Sequence, residues 1–155
     1  MIKVMFICHG NICRSPMAEF VFKDILEKAG IDDKFYVASA ATSYEEIGNP
    51  VHFGTAKILD GLGISYSGKC AVHLEKSDYE KYDYLVCMDN ANVRNTLRIV
   101  GDDPENKIHK LLEFVNSSED VADPWYTGDF DRTYKDVLSG CKGLLKYIEE
   151  KDGLK

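Results

Sequence analysis

No hydrophobic run in the chain approaches the ~20 residues that span a bilayer. The longest near the start, Val4-Met5-Phe6-Ile7-Cys8, is too short even for a secretion signal. No membrane insertion is expected, and a protein that stays where it is made should be cytoplasmic. Basic side chains are outnumbered, 19 against 26 acidic, and the net charge of −7 argues against a surface built to grip nucleic acid or anionic lipid. A phosphate, if one is bound, must be held by a local arrangement. The five cysteines, Cys8, Cys13, Cys70, Cys87 and Cys141, show neither CxxC nor Cys/His ligand spacing, and their number is odd. A disulfide framework and a zinc site are both unexpected, and reduced thiols fit best. Four prolines are scattered with no Pro/Gly/Ser-rich linker, repeat or low-complexity tract.

What is present is a core. With 45% apolar and 11% aromatic residues, 155 residues suffice for a single domain, 1–155, without staples. Short apolar runs alternate with helical patterns. Ile2 to Cys8 reads as a strand buried on both faces. Ser15-Pro16 then opens a helix carrying Met17, Phe20, Val21 and Ile25 on one side until Gly30. Further strands are expected at Phe35–Ala41, Asp83–Met88 and Ile108–Leu112. Further helices are expected at Val51–Leu62, Ala91–Val100 and Phe130–Glu149. This alternation implies a three-layer α/β/α fold around a central, mostly parallel four-stranded sheet, Rossmann-like and doubly wound. Such sheets bind ligands at the carboxyl ends of their strands, and the first strand ends at Cys8.

The segment Cys8-His9-Gly10-Asn11-Ile12-Cys13-Arg14-Ser15 sits at that end. A cysteine and an arginine separated by five residues, with glycine and serine in these places, is expected by chance roughly 0.0006 times in such a composition. A loop turning from strand into helix can aim backbone N–H groups at one anion, backed by the positive helix end. Gly10 would permit the tight path, and the Arg14 fork can grip two phosphoryl oxygens. The same field would hold Cys8 as a thiolate, a nucleophile facing a bound phosphate. Ser15 has two candidate roles, capping the helix and donating a hydrogen bond to the Cys8 sulfur. No Gly-Lys-Ser/Thr follows, which excludes a Walker A loop.

A leaving phenolate needs a proton. The best acid is Asp123, in Asp123-Pro124-Trp125-Tyr126, because the proline keeps it out of helix and the aromatics can exclude water. The competing reading is a turn whose aromatics plug the core. His52, His73 and His109 lack metal spacing. Asp32-Asp33, Glu45-Glu46 and Asp102-Asp103 read as solvated charge.

These motifs together resemble the low-molecular-weight protein tyrosine phosphatases. The likeness is carried by Val4–Glu19 with its Cys8-X5-Arg14-Ser15-Pro16, then Ala38-Ser39-Ala40, Ile47-Gly48-Asn49-Pro50, Cys87-Met88-Asp89 and Asp123-Pro124, in the family's order. The resemblance implies hydrolysis of phosphotyrosine in proteins, and of aryl phosphates, through a cysteinyl-phosphate intermediate. Cys8 would be the nucleophile, Arg14 the phosphate-binding residue, and Asp123 the general acid and then base, with no metal or other cofactor. Loop residues His9 to Cys13 and Ser15 would surround the phosphate. Asn11 and Ser39 would brace the loop, and Ser15 would stabilise the thiolate. Trp125 and Tyr126 match an aromatic pair at the substrate cleft. A monomer or weak dimer is expected.

Three departures stand out. Many relatives carry a histidine beside the residue matching Ser67, where this chain has Gly68-Lys69. The family's other aromatic cleft wall aligns with Glu45, one place after Tyr44, which leaves Tyr44 as the cleft candidate. His9 occupies a variable and often apolar position. Ile12 stands where related arginine phosphatases have threonine, which favours phosphotyrosine. Cys70 and Cys87, seventeen apart, do not suit the disulfide relay of arsenate reductases. Cys13 matches a residue that traps the oxidised nucleophile in some relatives; a small buried thiol under the loop is the alternative.

Overall fold

The apolar runs pair into a single sheet. The computed structural model describes residues 1–153, so the last two residues of the expected 1–155 domain lie outside the described residues. The strands are β1 (Ile2–Cys8), β2 (Phe35–Ala41), β3 (Tyr84–Cys87) and β4 (Ile108–Lys110). The helices are α1 (Arg14–Lys28), α2 (Phe53–Gly61), α3 (Asp78–Lys81), α4 (Asn90–Val100), α5 (Pro124–Thr127) and α6 (Phe130–Asp152). The strand order is β2-β1-β3-β4 and every pairing is parallel, which agrees with the expected α/β fold.

Alternation along β1 explains why it is apolar from Val4 to Cys8. Val4, Phe6 and Cys8 face a core shared with α1 and α6, while Met5 and Ile7 face a second one with Leu85, Cys87 and Val100. Phe6, Phe22 and Phe35 meet edge to face at 5.6 and 5.9 Å, each pair adding about 0.5–1.5 kcal/mol beyond its buried area. From β1 the chain crosses to β2 on one side, and β3 lies on the other, so the strand order reverses at β1. The loops after β1 and β3 therefore diverge and leave a crevice at Cys8 and Asp89.

The boundaries differ from expectation where side chains take over from pattern. The strand expected through Leu112 ends at Lys110, because Leu111–Val115 tightens into a 3-10 turn that turns Leu111 and Leu112 into the core. α2 starts at Phe53 rather than Val51, since His52 caps it, Nδ1 accepting from Gly54 N–H at 3.1 Å. α6 continues to Asp152. The single turn of α3 was not expected; four residues carry no readable period. Asp103 is not idle loop charge: it accepts from Tyr79 Oη, Lys107 N–H and Ile108 N–H at 2.7, 2.7 and 3.1 Å, shaping the entry to β4. Among the described residues, no helix is long and apolar enough to cross a membrane.

Candidate active site

Between β1 and α1 the chain wraps around the sulfur of Cys8. Asn11 N–H donates to Sγ at 3.2 Å, and Ser15 Oγ lies 3.0 Å from it. The left-handed residue in this turn is Asn11, at φ 59°, rather than Gly10. Asparagine tolerates that conformation better than most side chains, and here its amide is used as well. Asn11 Oδ1 accepts from Val72 N–H at 3.1 Å, so Nδ2 must face Ser15 and Ser39, donating to their hydroxyls at 2.7 and 2.9 Å. Ser15 Oγ is thereby an acceptor from Asn11, and its own proton is directed at the Cys8 sulfur. Of its two candidate roles the geometry is compatible with this one. Ser15 does not cap α1, which begins a residue earlier with Cys13 at the cap position and no side-chain cap bond.

Arg14 is buried, yet its guanidinium reaches across the crevice. Nη1 donates to Asp89 Oδ2 at 2.9 Å and to the Val121 carbonyl at 3.2 Å, and Nη2 to Asp123 Oδ2 at 3.3 Å. Burial works against its charge, but the negative groups at Cys8, Asp123 and Asp89 outweigh burial, so Arg14 holds its proton beyond the usual arginine range. Asp89 is itself fixed as the N-cap of α4, in a reciprocal capping box with Asn92. Asp123 caps α5, its Oδ1 accepting from Trp125 N–H at 3.0 Å, with Pro124 at the first helical position.

These groups open into one cavity of about 620 Å³ lined at its floor by Cys8, Ile12, Cys13 and Arg14 and on one wall by Asp123, Trp125 and Tyr126. Trp125 and Tyr126 are 63% and 86% exposed, so they do not plug the core. His9, Gly10, Glu45 and Glu46 also line it, and His9 pairs with Glu45. Tyr44, the cleft candidate, is not among the lining residues: it stacks on His73 with ring centroids 3.8 Å apart. Asn11, Ser15 and Ser39 lie beneath the floor, buried. Burial pushes the Cys13 thiol up to about 12, with the negative charges of Cys8 and Asp123 adding to the effect, so Cys13 is protonated at neutral pH. Its carbonyl accepts from Thr55 Oγ1 at 3.0 Å, and Ile12 carbonyl from His52 N–H at 2.9 Å, which ties the loop to the start of α2.

Sequence reasoning left several participants without a role. Asp89 and Asn92 carried a visible signal, an acid three residues before an amide at a helix start. The Val121 and Val72 backbone groups carried none. Glu19 and Lys69 form a buried pair behind Ser39: Ser39 Oγ donates to Glu19 Oε1 at 2.6 Å, and Lys69 Nζ lies 3.7 Å from that oxygen and donates to the Ser39 carbonyl at 3.0 Å. Among the described residues, no group of three or more His, Cys, Asp or Glu side chains is placed to hold a metal ion.

Comparison with known proteins bears on this arrangement. A family model described as low molecular weight phosphotyrosine protein phosphatase matches residues 3–153. The low molecular weight protein-tyrosine-phosphatase YfkJ of Bacillus subtilis is 40% identical over 156 residues, covering 99% of this chain and all of YfkJ. PtpA of Staphylococcus epidermidis, with the same description, is 41% identical over 156 residues, covering 100% of this chain and 99% of PtpA. The crystal structure of YfkJ superimposes with a TM-score of 0.93, covering 97% of this chain and 96% of that one. That of the low molecular weight protein tyrosine phosphatase from Streptococcus pyogenes gives 0.87 at 41% identity, covering 99% and 97%. With a matching sequence from end to end and the same fold around the Cys8 crevice, this chain is a tyrosine phosphatase enzyme and belongs to the low-molecular-weight phosphotyrosine protein phosphatase family.

Proposed function

We propose that the protein hydrolyses phosphotyrosine through a phosphate ester of Cys8. The observation that carries this reading is the shared cavity of the Cys8 sulfur, the Arg14 guanidinium and the Asp123 carboxyl. In the first step the sulfur attacks phosphorus, an S–P bond forms, and the P–O bond to tyrosine breaks. The departing oxygen takes a proton from Asp123. In the second step Asp123 takes a proton from water, whose oxygen bonds phosphorus as the S–P bond breaks. The electron pair returns to sulfur, helped by the hydroxyl of Ser15, and inorganic phosphate leaves. Arg14, already oriented by Asp89, pairs with phosphoryl oxygens and the charge that develops on them. Every group needed is supplied by the chain itself.

Ile12, Trp125 and Tyr126 offer apolar surface to an aryl ring, and Ile12 brings no hydroxyl to polarise water near a phosphoguanidinium. The substrates are therefore phosphotyrosine-containing proteins, met in the cytoplasm by a monomer or weak dimer whose five thiols are all unpaired. Cys13 also guards the nucleophile. When peroxide converts Cys8 to a sulfenic acid, the Cys13 sulfur displaces the hydroxyl as water, and the resulting disulfide protects Cys8 from further oxidation. Thiol-reversible inactivation should then become irreversible in Cys13→Ser; unchanged recovery removes that role.

The test is an assay of phosphotyrosine, phosphoarginine and arsenate, each with and without a chelator. Phosphotyrosine turnover that ignores the chelator and is lost in Cys8→Ser is expected. Faster release from phosphoarginine, reduction of arsenate, or activity surviving Cys8→Ser would overturn the reading.

A further inference from the structure

Two buried charges near the active site, Glu19 and Lys69, do not line the cavity. Glu19 lies on α1, and Lys69 on the loop before the Ala41–His73 bridge, its side chain only 11% exposed. Burying an ion costs several kcal/mol unless it is paired and hydrogen-bonded. Their position suggests what that cost accomplishes. An ionised carboxylate only accepts, so Ser39 must donate to Glu19. The Ser39 oxygen is then left to accept from Asn11 Nδ2, which agrees with the amide orientation demanded by Val72 N–H. Asn11 in turn gives its second amide proton to Ser15, and only then is the Ser15 proton free for the sulfur.

We propose that Lys69, by bracing the Glu19 carboxylate and the Ser39 carbonyl together, is a positioning residue that fixes the direction of this hydrogen-bond chain, so that Ser15 donates to Cys8 when the S–P bond breaks. This rests on the cysteinyl-phosphate reading above. Without that brace the Glu19 carboxylate could turn away from the Ser39 hydroxyl. The freed Ser39 proton would then compete for the Asn11 carbonyl oxygen, and the amide could turn and take the Ser15 proton from the sulfur. Lys23 also bonds Glu19, at 2.6 Å through Oε2, but its side chain is 44% exposed and its field is screened by water. Lys69 alone touches both the carboxylate and the residue the carboxylate orients. Burial lowers its own affinity for a proton, the Glu19 charge opposing, which marks it as the strained member of the pair.

The experiment forms the phosphoenzyme from p-nitrophenyl phosphate, chases with unlabelled substrate, and follows first-order loss of label from the trapped protein. The decay constant is read per occupied site, so an unfolded fraction alters the amplitude and not the rate. Lys69→Met should slow the decay about tenfold, the worth of one hydrogen bond to a charged sulfur. Lys69→Arg and Lys23→Met should stay within about twofold. A parent-like decay in Lys69→Met, or equal slowing in Lys23→Met, overturns the proposal. If Lys69→Met does not fold, Glu19→Gln decides in its place: slow decay supports the chain, parent-like decay ends it. Absence of any phosphoenzyme in the parent would instead fell the nucleophile reading, and this proposal with it.

Discussion

Around Cys8 the polar groups are buried and their hydrogen bonds fan out from Asn11, toward Ser15 and the sulfur on one side and toward Ser39 and Glu19 on the other, whereas Asp123 on the facing wall caps a single helical turn whose aromatic side chains stand in solvent. Asn11, Ser15, Ser39 and Glu19 are each at most 5% exposed, and each is fixed by a partner from another element or another turn. Asp123, by contrast, is held by its own cap bond to Trp125 N–H and by Arg14, while Val121 N–H to the Met88 carbonyl and Thr133 Oγ1 to the Ala122 carbonyl anchor the chain before it. The nucleophile's surroundings must not move, because a small shift in a loop of opposed donors would misdirect every N–H at once. In the proposed mechanism Asp123 exchanges protons with substrate and water in turn, which suits a place beside solvent-exposed side chains.

Removing the acid is the largest test of that division of labour short of removing the sulfur. Asp123→Ala should lower turnover of phenyl phosphate about 10²–10³-fold, and that of p-nitrophenyl phosphate far less, since the better leaving group needs little protonation. Equal losses on both would place the acid elsewhere on the wall. A smaller effect should come from the joint between the two regions. A Cβ on Gly54 would lie 2.3 Å from Phe130 Cζ, and Phe130 stacks on His52, which also borders Trp125. Gly54→Ala should cost about 1–3 kcal/mol in denaturant unfolding. Because His52 and Thr55 also tie the Cys8 loop to α2, that strain should reach both regions, lowering phosphate affinity along with turnover; unchanged affinity would show that the loop is held independently of this joint.

The same contrast governs what could be read from the sequence. The loop was legible because its residue types are chemically restrictive: few reasons other than an anion put cysteine, arginine and serine at this spacing between an apolar strand and a helix. The strand β1 was legible for a similar reason, as its apolar run from Val4 to Cys8 fills both faces. What escaped was long-range. Nothing local says that Glu19 and Lys69 meet behind Ser39, or that the backbone of Val121 and Val72 orients Arg14 and Asn11. Tyr44 was read as a cleft wall from its place beside Glu45, but a one-residue difference on a turn sends neighbouring side chains to different sides. It stacks on His73 while Glu45 faces the cavity. Gly10 was credited with a turn that Asn11 makes.

The smallest expected effect lies far from the cavity and serves as a control. Burial opposes ionisation of Asp103, but the bonds from Tyr79, Lys107 N–H and Ile108 N–H prevail and hold its carboxyl below the usual range. A depressed folded value means the stabilisation is present above the unfolded carboxyl range, ~3.9, and is lost as pH falls through the lower folded value. Asp103→Asn should therefore cost about 1 kcal/mol at neutral pH, with the gap from the parent closing in acid and no change in phosphate affinity. A gap that widens in acid would contradict the sign.

The most direct measurement is to quench the enzyme in acid during turnover of an aryl phosphate and locate the phosphate by peptide mass spectrometry. A phosphate bound to sulfur at Cys8, more abundant when Asp123 is replaced by alanine and a nitrophenyl ester is the donor, is the predicted result. Phosphate on any other side chain, or turnover with no covalent species at all, would contradict it.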